Sequence, residues 1–319
     1  MTRFLLARLA QSVVVLLVIS YLSYVLMGLM PGDPIDLLVG ADPAVSAADV
    51  ERLRALQGLD RPIHERYWSW LTAALGGELG HSRLYSTPVL DAVGAALANT
   101  ALLLLPALAV SVAIALPLGV LAAYRAGTAV DRLVNVLAFV GISLPQFWLG
   151  LLLILVFAVV LGWLPAGGIA REGAPAAEHV RYLVLPAATL MLGTVGGYVR
   201  YVRAAMIEAL RQDYIRSARA RGARPARVIW VHALRNALTP FVTILGLDLG
   251  LLFSGALVTE TVFAWPGMGR LIFEAVIGND YNLALVALLI ATGLILLGNL
   301  LADLCHGWLD PRIRAGAAP

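Results

Sequence analysis

The chain has 319 residues, of which 60% are apolar and only 13% charged, and its mean hydropathy is +0.85. Such a composition describes a protein whose main solvent is lipid, so the formal net charge of +3 does not signal a soluble nucleic-acid binder. All 23 basic residues are arginine; without lysine a phosphate-cradling G-x-x-x-x-G-K-[ST] loop cannot exist, and any ATP that drives this protein is hydrolysed elsewhere.

In chain order, the long uncharged runs are Leu9 to Met30, Ala92 to Tyr124, Leu133 to Ala170, Tyr182 to Val199, Asn236 to Leu247 continued past a lone Asp248 to Thr259, and Tyr281 to Ala302. Each supplies the roughly 20 apolar residues that cross a hydrocarbon core about 30 Å thick, which predicts an all-α membrane protein of six spans. The first run is too long for a signal-peptide core and lacks a small-residue cleavage site, so it is expected to stay in the membrane. Pro31-Gly32-Asp33-Pro34 ends it. In the loop that follows, Ser46 and Asp49 resemble a capping box ahead of Val50, Leu53 and Leu56, and a second short helix is expected from Pro62 through Leu75, with Tyr67, Trp68, Trp70 and Leu71 near the headgroups. A docking surface for a substrate-delivering partner and a lid lying on the bilayer both fit this loop. The second and third runs exceed one crossing, so they include interfacial residues, or a re-entrant element follows Gly162. Pro106, Pro117, Pro145, Pro186 and Pro240 are expected to kink or terminate helices.

Arginine placement sets orientation. With the N-terminus inside, Arg3, Arg8, Arg125, Arg132, Arg200, Arg203, the cluster from 211 to 235, Arg312 and Arg314 are cytoplasmic, and eight arginines lie outside: Arg52, Arg54, Arg61, Arg66, Arg83, Arg171, Arg181 and Arg270. Fifteen against eight favours both termini inside. Metal and thiol chemistry are thinly provided: Cys305 is the one cysteine, the five histidines are scattered, and the adjacent Cys305-His306 pair is not a site.

Between the fourth and fifth spans the chain reads Asp213-Tyr214-Ile215-Arg216-Ser217-Ala218-Arg219-Ala220-Arg221-Gly222. Glu208 to Arg211 are helix formers, Gly222 offers a stop, Pro225 suits a first helical turn, and Val228, Ile229, Val231 and Leu234 form a second apolar stripe. Two short helices with a glycine elbow at the cytoplasmic surface are expected. Anchoring to anionic lipid explains the charge, but not the elbow or the interleaved Glu208, Asp213, Tyr214, Ser217, Ala218 and Ala220, which suit close approach by another protein.

This stretch, with His232 to Ala237, resembles the peptide branch's version of the EAA loop, close to D-Y-x-R-T-A-R-A-K-G followed by H-A-L-R-N-A, in the inner-membrane permeases of dipeptide, oligopeptide and nickel ABC importers. Arg221 takes the place often held by lysine. Further marks are Pro31 to Pro34, Gly80 to Ser82 with Pro88-Val89, Ser143-Leu144-Pro145-Gln146-Phe147-Trp148, Glu260-Thr261-Val262-Phe263 with Trp265-Pro266-Gly267, and Leu309-Asp310-Pro311-Arg312. The resemblance implies a type I ABC importer permease fold with both termini cytoplasmic, a pore built with a second homologous permease, two cytoplasmic ATPase subunits that hold ATP and Mg, and an extracytoplasmic substrate-binding protein. It implies no cofactor on this chain, no catalytic residues and a place in the bacterial inner membrane. Glu208, Asp213, Tyr214, Arg216, Ser217, Ala218, Arg219, Arg221, Gly222 and His232 are then the ATPase-coupling residues. The implied organisation is a first segment and span (1–30), an external loop (31–95), a five-helix core (96–308) that includes the coupling loop (204–235), and a tail (309–319).

A carboxylate within a span is costly and seldom faces lipid, so Asp248 is expected either to be capped by a neighbouring helix or to face the pathway, where it meets a substrate ammonium or a cation. Ser143, Gln146, Asn99 and Asn299 are weaker pathway candidates. Di- or oligopeptides are the first choice of cargo on family frequency, with nickel or another small solute as the alternative. A secondary transporter or channel and a polytopic membrane enzyme are readings of other classes; no internal repeat and no cluster of deep acid or base groups favours them.

Overall fold

A computed structural model describes residues 2–29, 52, 60–252 and 256–309 of the chain. The Pro31 to Pro34 turn, the helix expected near Ser46 and the Leu309 to Arg312 motif beyond its first residue lie outside the described residues, as do the side chains of Cys305 and His306. The described chain is helical nearly throughout: α1 Thr2–Gly28, α2 Ile63–Leu75, α3 Val89–Tyr124, α4 Ala129–Ser143, α5 Gln146–Leu153, α6 Ala176–Arg211, α7 Asp213–Ala220, α8 Leu234–Leu252, α9 Leu257–Val262, α10 Met268–Ile277 and α11 Tyr281–Leu309. Among the described residues, Leu6–Gly28, Val89–Tyr124, Ala176–Arg211 and Tyr281–Leu301 are each long and apolar enough to cross a membrane, and α4 with Gln146–Val160 supplies a further crossing if that bent pair is one span.

The third run is broken where Pro145 stands. Leu144 is extended (φ −83°, ψ 125°), the conformation that a following proline imposes, and the helices on either side are bent by 96°. Its surplus length goes into this corner, a π-helical stretch at Ile154–Val160 and the non-helical residues 161–175. No helical element follows Gly162 until Ala176, which corrects the re-entrant alternative placed there. Pro106 and Pro117 lie inside α3, Pro186 inside α6 and Pro240 inside α8 without ending them, so of the five prolines only Pro145 terminates a helix. Carbonyls freed by an internal proline are tolerated where neighbouring helices re-satisfy the backbone.

The residues divide into two compact units, Met1–Leu97 with Leu271–Gly293 and Ala98–Arg270 with Leu294–Pro319. In the first, α2 starts at Ile63 as expected and packs on α1 through Tyr67, which is buried; its ring meets Tyr21 and Tyr24 edge-on at centroid distances of 5.1 and 5.7 Å, and its hydroxyl pairs with Ser20 Oγ at 2.6 Å. Trp68 is exposed. The Gly80 to Ser82 and Pro88-Val89 motif also has a physical cause: a single bridge joins His81 to Pro88, and Ser82 Oγ–H donates to buried Asp280 at 2.7 Å. Asp280 also accepts from the N–H groups of Leu84 and Leu283, the latter capping the start of α11.

In the second unit, α6 is the spine. It packs against α4 and α8, and Gly196 lets α4 come so near that a Cβ there would overlap the Ala138 carbonyl. A second knot lies around Glu260, which is fully buried. Thr100 Oγ1–H donates to Glu260 Oε1 at 2.8 Å and accepts from the Met268 N–H at 2.7 Å, while the Arg270 N–H donates to Glu260 Oε2 at 3.0 Å. The carboxylate and the Thr100 hydroxyl thereby each accept one of the open N–H groups in the first turn of α10. Gly267 is required because a Cβ would overlap both Glu260 Oε1 and Thr100 Oγ1, which explains the Trp265-Pro266-Gly267 motif. Thr100→Val removes one partner from each of two buried groups, and we expect it to lower the unfolding free energy by about 2 kcal/mol, read as a lower thermal midpoint for the purified protein in lipid nanodiscs; an unchanged midpoint would contradict this account of the knot.

Candidate functional site

The charged stretch folds as a short helix turned off the end of α6. Gln212, extended at φ −71° and ψ 151°, separates α6 from α7, and Ile215 and Ala218 are the buried residues of α7. Ile215 is fully buried and shares a core cluster with Met206 and Ala209 of α6 and with Val228 and Ala233 downstream. α7 is thus held on its apolar side, while Glu208, Asp213, Tyr214, Arg216, Ser217, Arg219 and Arg221 are exposed. Gly222 follows at φ +76°, a left-handed conformation that favours glycine, and its N–H donates to the Arg219 carbonyl at 2.9 Å.

Beyond the elbow the chain departs from expectation. Pro225 does start a helical turn, Pro225–Arg227, but Val228–Ala233 is π-helical and runs directly into α8, so the second stripe is the root of α8 and not a separate short helix. His232 is half-buried on that root. Arg216 makes a loose ion pair with Asp213 at 3.7 Å, both fully open to solvent, and among the described residues Arg219, Arg221, Arg224 and Arg227 have no acidic partner. An exposed pair of this kind contributes little to stability. The outward face of the joint is basic and exposed, and its inward face is packed.

A group that sequence reasoning missed holds the spine just before this joint. Arg203 donates from Nε to Asp131 Oδ1 at 2.6 Å and from Nη2 to Asp131 Oδ2 at 2.8 Å, and the buried carboxylate also accepts from the Gly127 N–H at 2.8 Å and the Asn135 amide at 2.7 Å. By sequence position Arg203 counts only toward topology, and nothing in the local sequence joins it to a partner 72 residues away.

The pathway candidates sit apart. Asp248 is half-buried and accepts a 2.5 Å hydrogen bond from the hydroxyl of Tyr198, whose ring is buried against Phe241. Asn99 is tied to the turn after α9, donating to the Pro266 carbonyl while its own carbonyl accepts from the Trp265 indole, each at 3.0 Å. Gln146 lies against Gly193 of α6, and Ser143 is exposed at the end of α4. Asn299 is half-buried on α11. Among the described residues no hydrogen bond joins any two of these, and no group of three His, Cys, Asp or Glu side chains could hold a metal ion.

A chain of several long apolar helices with a basic, solvent-exposed joint between two of them has the build of a multi-pass membrane protein. Residues 115–315 match the family of binding-protein-dependent transport system inner membrane components, and residues 1–103 match the N-terminal family of the same membrane components. The chain is 38% identical over 316 residues to the oligopeptide transport system permease protein AppB of Bacillus subtilis, covering 98% of this chain and 99% of the relative. It is 39% identical over 317 residues to a putative peptide permease protein of Brucella suis and 36% identical over 339 residues to the di/tripeptide transport system permease protein DppB of Pseudomonas aeruginosa, with the same coverage in both cases. The chain belongs to the inner-membrane permease family of binding-protein-dependent, ABC-type importers.

The packing of α7 makes two predictions. Ile215→Ala leaves a cavity under the short helix that costs about 2–4 kcal/mol locally, and amide exchange across residues 213–222 should rise relative to that across α3. Gly222→Val places a β-branched residue at positive φ and should have the same signature without any change of charge; exchange indistinguishable from wild type in both variants would mean that α7 is not held by its inward face.

Proposed function

We propose that this chain is one of two permease subunits of an ATP-driven importer in the bacterial inner membrane, forming half of the pathway for di- or oligopeptides delivered by an extracytoplasmic binding protein. Six crossings follow if α4 with Gln146–Val160 is one span and α8 is another; its 19 residues rise ~28 Å, close to the thickness of a hydrocarbon core. Both termini are then cytoplasmic, and the organisation is a first span (1–30), an external loop (31–95), a core (96–308) with its coupling loop (204–235), and a tail (309–319). ATP and Mg reside on two separate ATPase subunits. Peptide cargo is supported by the names of the full-length relatives.

The observation that carries this reading is the two-sided construction of α7. A helix anchored inward by Ile215 and Ala218 moves with α6 and the root of α8, so displacement applied at its outer face is transmitted to those helices and not absorbed in a flexible linker. Its free arginines suit charge-assisted hydrogen bonds to an acidic groove of the ATPase. If these arginines serve topology alone, Arg216→Gln with Arg219→Gln is tolerated, because Arg200, Arg203, Arg224, Arg227 and Arg235 still hold the loop inside. Under the proposed function the double variant inserts normally and loses most ATPase recruitment or substrate-stimulated hydrolysis; coupled uptake at the wild-type rate in nanodiscs would refute the docking role.

Asp248 is proposed to line the pathway. Asp248→Asn keeps an acceptor for the Tyr198 hydroxyl and should alter uptake only modestly, whereas Asp248→Leu should reduce it strongly. Because the leucine also orphans a buried hydroxyl, at a cost of about 1–3 kcal/mol, the comparison is made with Tyr198→Phe in the same chain. Uptake restored to wild type by that second substitution would assign Asp248 to packing.

A further inference from the structure

The α4 and α6 pair holds a cavity of about 530 Å³ whose lining includes none of Asp248, Ser143, Gln146 and Asn99 and no residue of α7. Asn135 and Phe139 of α4 and Gly197, Arg200, Tyr201 and Arg203 of α6 line it. Its charge is unbalanced. Arg203 is neutralised by Asp131, which takes its Nε and Nη2 donors, but Arg200 has no acidic partner among the described residues and its guanidinium instead lies 4.4 Å from the centroid of the Phe139 ring. One uncompensated positive charge therefore stands beside polar side chains from Asn135 and Tyr201.

The surface around the cavity is of the opposite character. Leu133, Val136, Leu137, Phe139 and Val140 of α4 are all more than half exposed, forming an apolar strip that passes the cavity along the helix. A ligand that fills the cavity and also covers that strip carries an anionic head and a hydrocarbon tail. We propose that this cavity binds the phosphate of an anionic glycerophospholipid from the cytoplasmic leaflet, Arg200 holding the phosphate and an acyl chain lying on the α4 strip. Cavities of this composition between membrane helices are suited to lipid headgroups, and a guanidinium matches phosphate oxygens in geometry as well as charge. The bound lipid would brace α4 against α6 immediately before the joint at Gln212, so lipid composition would tune how firmly α6 carries α7.

The proposal rests on the orientation proposed above, and its test does not. Nanodiscs of phosphatidylcholine doped with phosphatidylglycerol present the anionic lipid in both leaflets, and native mass spectrometry of the purified complex reads how many such lipids remain bound. Gly197→Leu fills the cavity without touching its charge, since a Cβ at Gly197 meets nothing within 4 Å. We expect Arg200→Gln to lower phosphatidylglycerol retention roughly tenfold, as loss of a charge-assisted hydrogen bond implies, Gly197→Leu to lower it to a similar extent by excluding the headgroup, and Arg200→Lys to retain most of it. Retention by Gly197→Leu equal to wild type would overturn the site, because general attraction of lipid to arginines does not need the cavity. Displacement of the lipid by inorganic phosphate in the buffer would assign the cavity to a soluble anion and overturn the lipid. Reaction of Ser217→Cys, in a Cys305→Ser background, with an impermeant maleimide in inside-out vesicles checks the orientation separately.

Discussion

The two-pronged contact between Arg203 and Asp131 is the constraint on which the second unit is built. Removing a carboxylate and a guanidinium from water is expensive, and the attraction between them repays this only when geometry is good and the remaining lone pairs are used. Both conditions are met: the guanidinium fork meets both carboxylate oxygens, and Gly127 and Asn135 supply the other donors. Such a pair contributes more to alignment than to net stability. Together with the close approach at Gly196 it fixes both the rotation and the height of α4 on α6, and the position of everything α6 carries follows from that.

α6 carries a great deal. Along its length it presents Gly193 to Gln146, Gly196 to α4, Tyr198 to Asp248, Arg200 and Tyr201 to the cavity, Arg203 to Asp131, and Met206 and Ala209 to the underside of α7. In an apolar environment there is no water to rescue a misplaced polar group, so the Tyr198–Asp248 and Arg203–Asp131 contacts together hold the helix in one register. A single helix of 36 residues thus carries both the hydrogen-bond partner of Asp248 and the residues on which α7 is packed.

Glu260 illustrates the same physics at the other knot. A fully buried carboxylate is tolerated because the Arg270 N–H in the first turn of α10 and the Thr100 hydroxyl each donate to it. The flanking Gly267 exists because that carboxylate occupies the space a side chain would need. In the sequence these positions formed a motif with no stated cause; the cause is a hydrogen-bond account that closes across 160 residues.

The sequence by itself determined that the chain lives in lipid, where the long helices run, that Pro145 breaks one of them and that Gly222 turns the chain after α7. These features depend on composition, on hydropathy over about 20 residues, or on the steric rules of proline and glycine, all of which are local. It also supplied the residues of the basic joint, through a match spread along the chain. Only the tertiary structure decided that Ile215 is the inward anchor of that joint, that Pro106, Pro117 and Pro186 leave their helices unbroken, that the second stripe belongs to α8, and that Arg203 serves Asp131 and not topology alone. Each of those outcomes is a pairing between residues distant in the chain. A buried polar group or a kinkable helix is satisfied by whatever neighbour the fold brings within about 3 Å, and one-dimensional periodicity contains no record of which neighbour that is.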